Sequence, residues 1–168
     1  MNYCLKKSKG FTLIELILYV GIVGAVLLVV SILLMTLLTS RIKNETVSEV
    51  ELQGTQAMQL ITQNVRNAET VSVPARGEIS SSLVITKEGE NIAFSLDDGV
   101  IYIQEGSGNL INLTNDRVLA SSLLFENTGK ENAPDSIRIN FILSHVNHTG
   151  RSEYSFIKSF IGSASLRR

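Results

Sequence analysis

From Leu16 to Ser40 the chain runs for 25 consecutive residues without an Asp, Glu, Lys, Arg or His. At about 1.5 Å per residue, a helix of that stretch is about 37 Å long, enough to cross a hydrocarbon core of roughly 30 Å with some tilt. Beyond Ser40 the chain turns polar but keeps a helical pattern. Val47, Val50, Gly54, Met58, Ile61, Val65 and Ala68 step by three or four residues, as one face of a helix does. Glu45, Glu49, Gln53, Gln56, Gln63 and Arg66 fall largely elsewhere. No proline occurs before Pro74, so a single helix is predicted from Phe11 to Ala68. Its first half faces lipid or sister helices, and its second half lays an apolar stripe on a globular domain. Gly54 on that stripe costs about 1 kcal/mol as a helix former. It either permits a close approach of the sheet or is a tolerated weak point, and the second reading is preferred.

From Val71 onward the period changes to two. Ile92-Ala93-Phe94-Ser95-Leu96 and Val100-Ile101-Tyr102-Ile103-Gln104 flank Asp97-Asp98-Gly99. Asp-Gly suits a two-residue hairpin turn, in which both positions need φ > 0. A turn at Asp98-Gly99 pairs Leu96 with Ile101 and Phe94 with Ile103, placing all four on one face and Ser95 with Tyr102 on the other. A slip of one residue would expose those four apolar side chains, each worth about 1.5–3 kcal/mol when buried. Further strands are predicted at Leu83–Thr86, Leu110–Leu113, Val118–Phe125, Ile137–Leu143 and Tyr154–Ile161. Loops rich in Gly, Asn, Ser and Pro separate them at Glu105–Asn109 and Glu126–Asp135. One long helix followed by short strands predicts an α+β fold, with the helix packed on an antiparallel sheet.

Composition narrows the function classes. Hydrophobic residues make up 44% and charged residues 18%, which argues against a chain dominated by solvated disorder. Net charge is −1 and no basic patch follows the apolar run, so no nucleic-acid partner is expected. The single cysteine, Cys4, forms no internal disulfide and no metal site. His145 and His148, three apart near a strand end, are at most half a metal site. Asp97, Asp98 and Glu105 lack EF-hand spacing, and the hairpin accounts for them. Asn112-Leu113-Thr114 and two other Asn-x-Thr triplets are what an Asn- and Thr-rich surface yields by chance. Gly21, Gly24 and Ala25 permit close helix approach but miss the four-residue glycine spacing. No nucleophile–base pattern and no phosphate loop is present, so the chain reads as a non-enzyme without a cofactor.

The amino terminus carries Lys6, Lys7 and Lys9, ends its basic stretch at Gly10, and turns apolar at Phe11. A cleaved secretory signal has an apolar region of about 7–15 residues, far shorter than this run. The bland alternative is an uncleaved anchor with its lysines held inside, three Lys before the span against Arg41 and Lys43 after it. Glu15 disturbs that alternative. An acid within a span costs a few kcal/mol at the centre and less near an interface, and by default needs a partner. None is available between Leu16 and Ser40. A cut after Gly10 would create one, the α-amino group of Phe11, in the same chain or in a neighbouring one.

Lys6-Lys7-Ser8-Lys9-Gly10-Phe11-Thr12-Leu13-Ile14-Glu15-Leu16 closely resembles the prepilin signal of type IV pilins and pseudopilins. The resemblance implies cleavage between Gly10 and Phe11 by a membrane aspartic peptidase on the cytoplasmic side and N-methylation of Phe11. It also implies that the helix, with Glu15, is extracted from the bilayer into a helical filament. Lys6, Lys7 and Lys9 are then the basic residues of the leader. The expected organisation is a removed leader (1–10), a membrane-spanning and filament-core helix (11–40), its amphipathic continuation (41–69) and an antiparallel β head (70–168). Processing leaves 12 basic and 16 acidic residues and no cysteine. Many major pilins close a loop with a disulfide and carry a proline in the apolar helix; this chain does neither, which favours a minor subunit. Leu60–Val71 with Arg66-Asn67-Ala68-Glu69, then Asp97-Asp98-Gly99-Val100-Ile101-Tyr102, look like the secretion pseudopilin J group and its competence and pilus-tip relatives. By that resemblance the subunit helps start assembly near the tip. Its partners are the prepilin peptidase and methyltransferase, other pilin or pseudopilin subunits, the inner-membrane assembly platform and, before assembly, the lipid bilayer. It would sit in the cytoplasmic membrane with its N-terminus inside and its head outside, then in the filament. The competing expectation is an anchored monomeric envelope protein whose head binds something and never polymerises.

Overall fold

A computed structural model describes residues 10, 12–131, 133–148 and 150–167. Lys6, Lys7, Lys9 and Phe11 therefore lie outside the described residues. The chain divides into two compact units between Arg41 and Ile42.

The first unit is helical. Helix α1 (Leu13–Asn67) begins one residue after Thr12, whose carbonyl accepts the Leu16 N–H at 3.2 Å. Along residues 13–40 the side chains are exposed. The most apolar 18-residue window has a mean hydropathy of 2.9, and the helix is long and apolar enough to cross a membrane. Three hydroxyls in this stretch donate back one turn, Ser31 to the Leu27 carbonyl at 2.8 Å, Thr36 to Ile32 and Thr39 to Met35 at 3.0 Å. Each satisfies its own donor within the helix, which keeps the polar residues tolerable in an apolar surrounding.

The second unit is built on the rest of α1. Thr46, Val50, Gly54, Ala57, Ile61 and Val65 are buried along it, and Ala68 just beyond its end is buried too. The stripe differs from the predicted one at two places: Thr46 replaces Val47, and Ala57 replaces Met58, which packs at the core's margin. Both shifts are one residue: Thr46 and Val47 stand four and three before Val50, and Ala57 and Met58 three and four after Gly54, so either member of each pair fits the helical spacing. Ala68 leaves the helix, its N–H bonding to the Val65 carbonyl at 3.3 Å in a tighter turn.

The strands are β1 (Thr70–Val73), β2 (Ile79–Ser80), β3 (Leu83–Lys87), β4 (Glu90–Asp97), β5 (Val100–Glu105), β6 (Ile111–Asn112), β7 (Val118–Asn127), β8 (Ser136–His145) and β9 (Ile157–Ser165). They form two antiparallel sheets, one ordered β1-β3-β4-β5-β6 and the other β2-β7-β8-β9. The α+β class with a long N-terminal helix packed on antiparallel strands stands, but the strands divide into two sheets rather than one. The sheets meet where the Ala120 N–H donates to the Gly99 carbonyl at 2.8 Å.

The predicted hairpin register is observed: Leu96 faces Ile101, Phe94 faces Ile103 and Ser95 faces Tyr102. Asp98 and Gly99 both have positive φ, 42° and 76°, as a two-residue hairpin turn of this twist requires. The strand predicted at Tyr154–Ile161 is displaced. A 3-10 turn occupies Ser152–Tyr154 and the strand runs Ile157–Ser165. Its inward positions include Gly162 and Ala164, so small residues conceal the alternation there.

Between α1 and the two sheets lie Phe94, Phe125, Phe141, Leu83, Ile85, Ile101, Ile137 and Ile139, none with measurable exposure. Two of the buried polar residues are tied by side-chain hydrogen bonds. Thr114 Oγ1 accepts the Ile101 N–H at 3.1 Å, and Asn127 donates to the Pro74 carbonyl at 3.2 Å while accepting the Gly129 N–H at 3.0 Å. No cysteine lies in 42–168, so this core holds without disulfides.

Candidate functional site

Gly10 is exposed, and a Cβ built on it meets nothing within 4 Å. Among the described residues, then, nothing occupies the place where a side chain at this position would begin. Glu15 lies in the first turn of α1 and is exposed. A carboxylate there complements the partial positive charge of the helix N-terminus, a gain of about 0.3–1 kcal/mol at an exposed site. Among the described residues Glu15 has no ion-pair partner. Gly21 and Gly24 also have open space where a Cβ would stand.

The two histidines part company in the structure. His145 ends β8 with its ring stacked on Tyr154, centroids 6.0 Å apart at 25°, and its Nδ1 is buried without a hydrogen-bond partner among the described residues. His148 is exposed. They line a cleft of about 400 Å³ together with Glu45, Glu49, Asp116 and Arg117. Glu49 there accepts a 2.6 Å hydrogen bond from Asn115. Among the described residues no group of three or more His, Cys, Asp or Glu is placed to hold a metal.

Other charges work as ties on the head. Arg76 meets Asp135 at 2.6 Å, and that hydrogen bond, with the carboxylate's charge, raises the Arg76 pKa. Glu153 is held below the usual carboxylate range, chiefly by its own backbone N–H and then by the guanidinium of Arg151 at 3.0 Å. Lys158 on β9 reaches Glu51 on α1 at 2.6 Å.

Two grooves flank α1 within the head. One, of about 620 Å³, runs beside β5 and β6. The other, of about 900 Å³, lies between the last turns of α1 and the end of β9, and its lining includes Arg66 and Arg167. The sequence hints at them only through a run free of Asp, Glu, Lys, Arg and His at 52–65. The walls of the first come from residues about 50 positions apart in the chain and those of the second from residues about 100 apart, which no local pattern reveals. Compared with protein-family models, curated proteins and solved structures, the chain finds no match in any of the three.

Proposed function

We propose that this chain is a minor pilin or pseudopilin, a structural subunit of a type IV pilus-like or type II secretion-like filament that helps start assembly near its tip. One observation carries the reading: the basic leader Lys6-Lys7-Ser8-Lys9-Gly10 joined directly to Phe11-Thr12-Leu13-Ile14-Glu15-Leu16 at the head of an uncharged helix. The architecture supports it, because a single helix continues from the apolar stretch into the head. In this reading a membrane peptidase cuts after Gly10 and the new Phe11 amine is methylated. The helix waits in the cytoplasmic membrane with the head outside, and Glu15 pairs with the Phe11 amine of an adjacent subunit as the helix leaves the lipid. A buried charge pair contributes register more dependably than stability, so its loss should impair assembly and spare folding.

Co-expression with a prepilin peptidase and the partner subunits tests this. Intact-mass spectra should show the chain shortened by its ten-residue leader and methylated at Phe11. Gly10→Val should block the cut without disturbing the head, since among the described residues nothing lies within 4 Å of a Cβ at Gly10. Glu15→Val should be inserted and cleaved, yet be missing from sheared filaments or fail to promote them. Filaments that retain the leader overturn the processing step. Wild-type assembly by Glu15→Val overturns the charge pairing, and a processed chain never recovered with filaments favours the anchored monomer.

A further inference from the structure

Strand β9 is the outermost strand of its sheet, and among the described residues no backbone group pairs with its outer edge. Sheets commonly guard such an edge with charge, proline, a bulge or a covering segment. Here the only charge on the strand is Lys158, drawn away onto Glu51 at 2.6 Å. From Ser159 to Ser165 there are seven residues with neither charge nor proline. An edge of that length offers main-chain donors and acceptors over about 23 Å.

The groove of about 900 Å³ lies along the end of this edge. Its opposite wall carries the amides of Gln59, Gln63 and Asn67, which donate and accept and so suit a polypeptide backbone better than a hydrocarbon. At one end stand Arg66 and Arg167, brought together by a 3.2 Å hydrogen bond from the Arg167 N–H to the Arg66 carbonyl. Both side chains are exposed, and neither has a carboxylate partner among the described residues.

We propose that this groove takes an extended segment of a partner protein, added as a strand to the outer edge of β9, with a carboxylate of that segment held by Arg66 and Arg167. The edge supplies the hydrogen bonds of strand addition and the guanidinium pair supplies a charge requirement. A small anion would use the arginines and leave the edge unpaired. A helix would leave the edge unpaired as well. A second copy of this chain, joined β9 to β9 about a two-fold axis, would bring its Lys158 rather than a carboxylate toward the arginines. The carboxylate belongs to an Asp or Glu side chain or to a chain terminus. This inference is independent of the filament reading, because it uses only the head.

The test pans the full chain, in detergent micelles, against a displayed library of random short peptides, with the enriched peptides then synthesised. Enriched sequences should be extended in pattern and carry an Asp or Glu toward one end, or depend on a free C-terminal carboxylate. Replacing that acid by its amide should weaken binding at least about tenfold, as should Arg66→Gln combined with Arg167→Gln at unchanged Tm. Methylating alternate backbone nitrogens of the peptide should abolish binding. Acid and amide forms of the side chain and of the terminus, compared on the wild-type chain, separate the two sources. Failure to enrich any peptide overturns the proposal. So does equal binding of neutral or N-methylated peptides, or self-association of the chain that Ser163→Lys breaks.

Discussion

Gly54 sits at a position where one methyl group decides the packing. A Cβ there would overlap the far edge of the Phe160 ring. That ring is stacked on Phe141 at 5.2 Å and 17°, with the Lys158 ammonium 5.6 Å from its centroid. Moving the ring away would disturb both of these contacts. The close-approach reading of Gly54 therefore replaces the weak-point reading. Gly54→Val recovers less than about 1 kcal/mol of helix propensity and forces an overpacking cost of about 1–3 kcal/mol. Thermal unfolding should show a lower Tm, and adding Phe160→Leu should cost less in the Gly54→Val background than in the wild type. Equal costs in both backgrounds would mean the two residues do not compete for space. Gly162 gives the contrast: a Cβ there meets the sulfur end of Met58, a side chain flexible enough to yield, so Gly162→Ala should be milder.

At the scale of elements, α1 is held to the sheets by the side chains of its head segment. Ile61 has no exposed surface. Ile61→Asp would bury an unpaired carboxylate and cost several kcal/mol, a large part of the stability of an ordinary domain. Ile61→Val removes one methylene and should cost about 0.5–1.5 kcal/mol. Denaturant unfolding should rank them in that order, and an unchanged midpoint for Ile61→Asp would show that α1 does not pack on the sheets. The helical stripe and the Asp98-Gly99 hairpin were legible because each is encoded in one unbroken stretch, of about two dozen residues for the stripe and about a dozen for the hairpin. The hairpin of β3 and β4 turns through Glu88 and Gly89, both at positive φ, and the Glu-Gly pair is a weaker signal than Asp-Gly. Strand β7 hides its register. Val118 and Ala120 are buried, then Leu123 and Phe125, so the inward parity switches. A bulge between Ala120 and Ser122 takes up the extra residue. The division into two sheets depends on such long-range features, as does the groove beside β9. Of the N-terminal segment, the sequence offers the motif through its resemblance; the fold adds that nothing among the described residues meets a Cβ at Gly10 and that Glu15 lies in the first turn of the helix.

The whole molecule joins two units of opposite solvent preference. In residues 13–40 every large apolar side chain is at least 43% exposed, and such a stretch in water drives aggregation or membrane insertion. From Ile42 onward the chain encloses its own core, from Val50 on α1 to Ala164 on β9. Among the described residues, none of that core precedes Ile42. Residues 42–168 contain no cysteine, so oxidation state should not matter to them. A fragment beginning at Ile42 should therefore be soluble without detergent and unfold cooperatively, with a stability of about 5–15 kcal/mol. Its transition should be the same with and without a reducing agent. The full chain should need detergent or lipid, yet show the head's transition at a nearby temperature, because the same core comes apart in both. Starting the fragment at Glu51 removes Thr46 and Val50, both buried, along with the Glu49–Asn115 hydrogen bond. That shorter fragment should melt earlier, a difference that calorimetry reads directly. If the Ile42 fragment is unfolded or aggregated while the full chain in micelles is folded, the apolar helix contributes to the head, and the boundary at Ile42 is not a folding boundary.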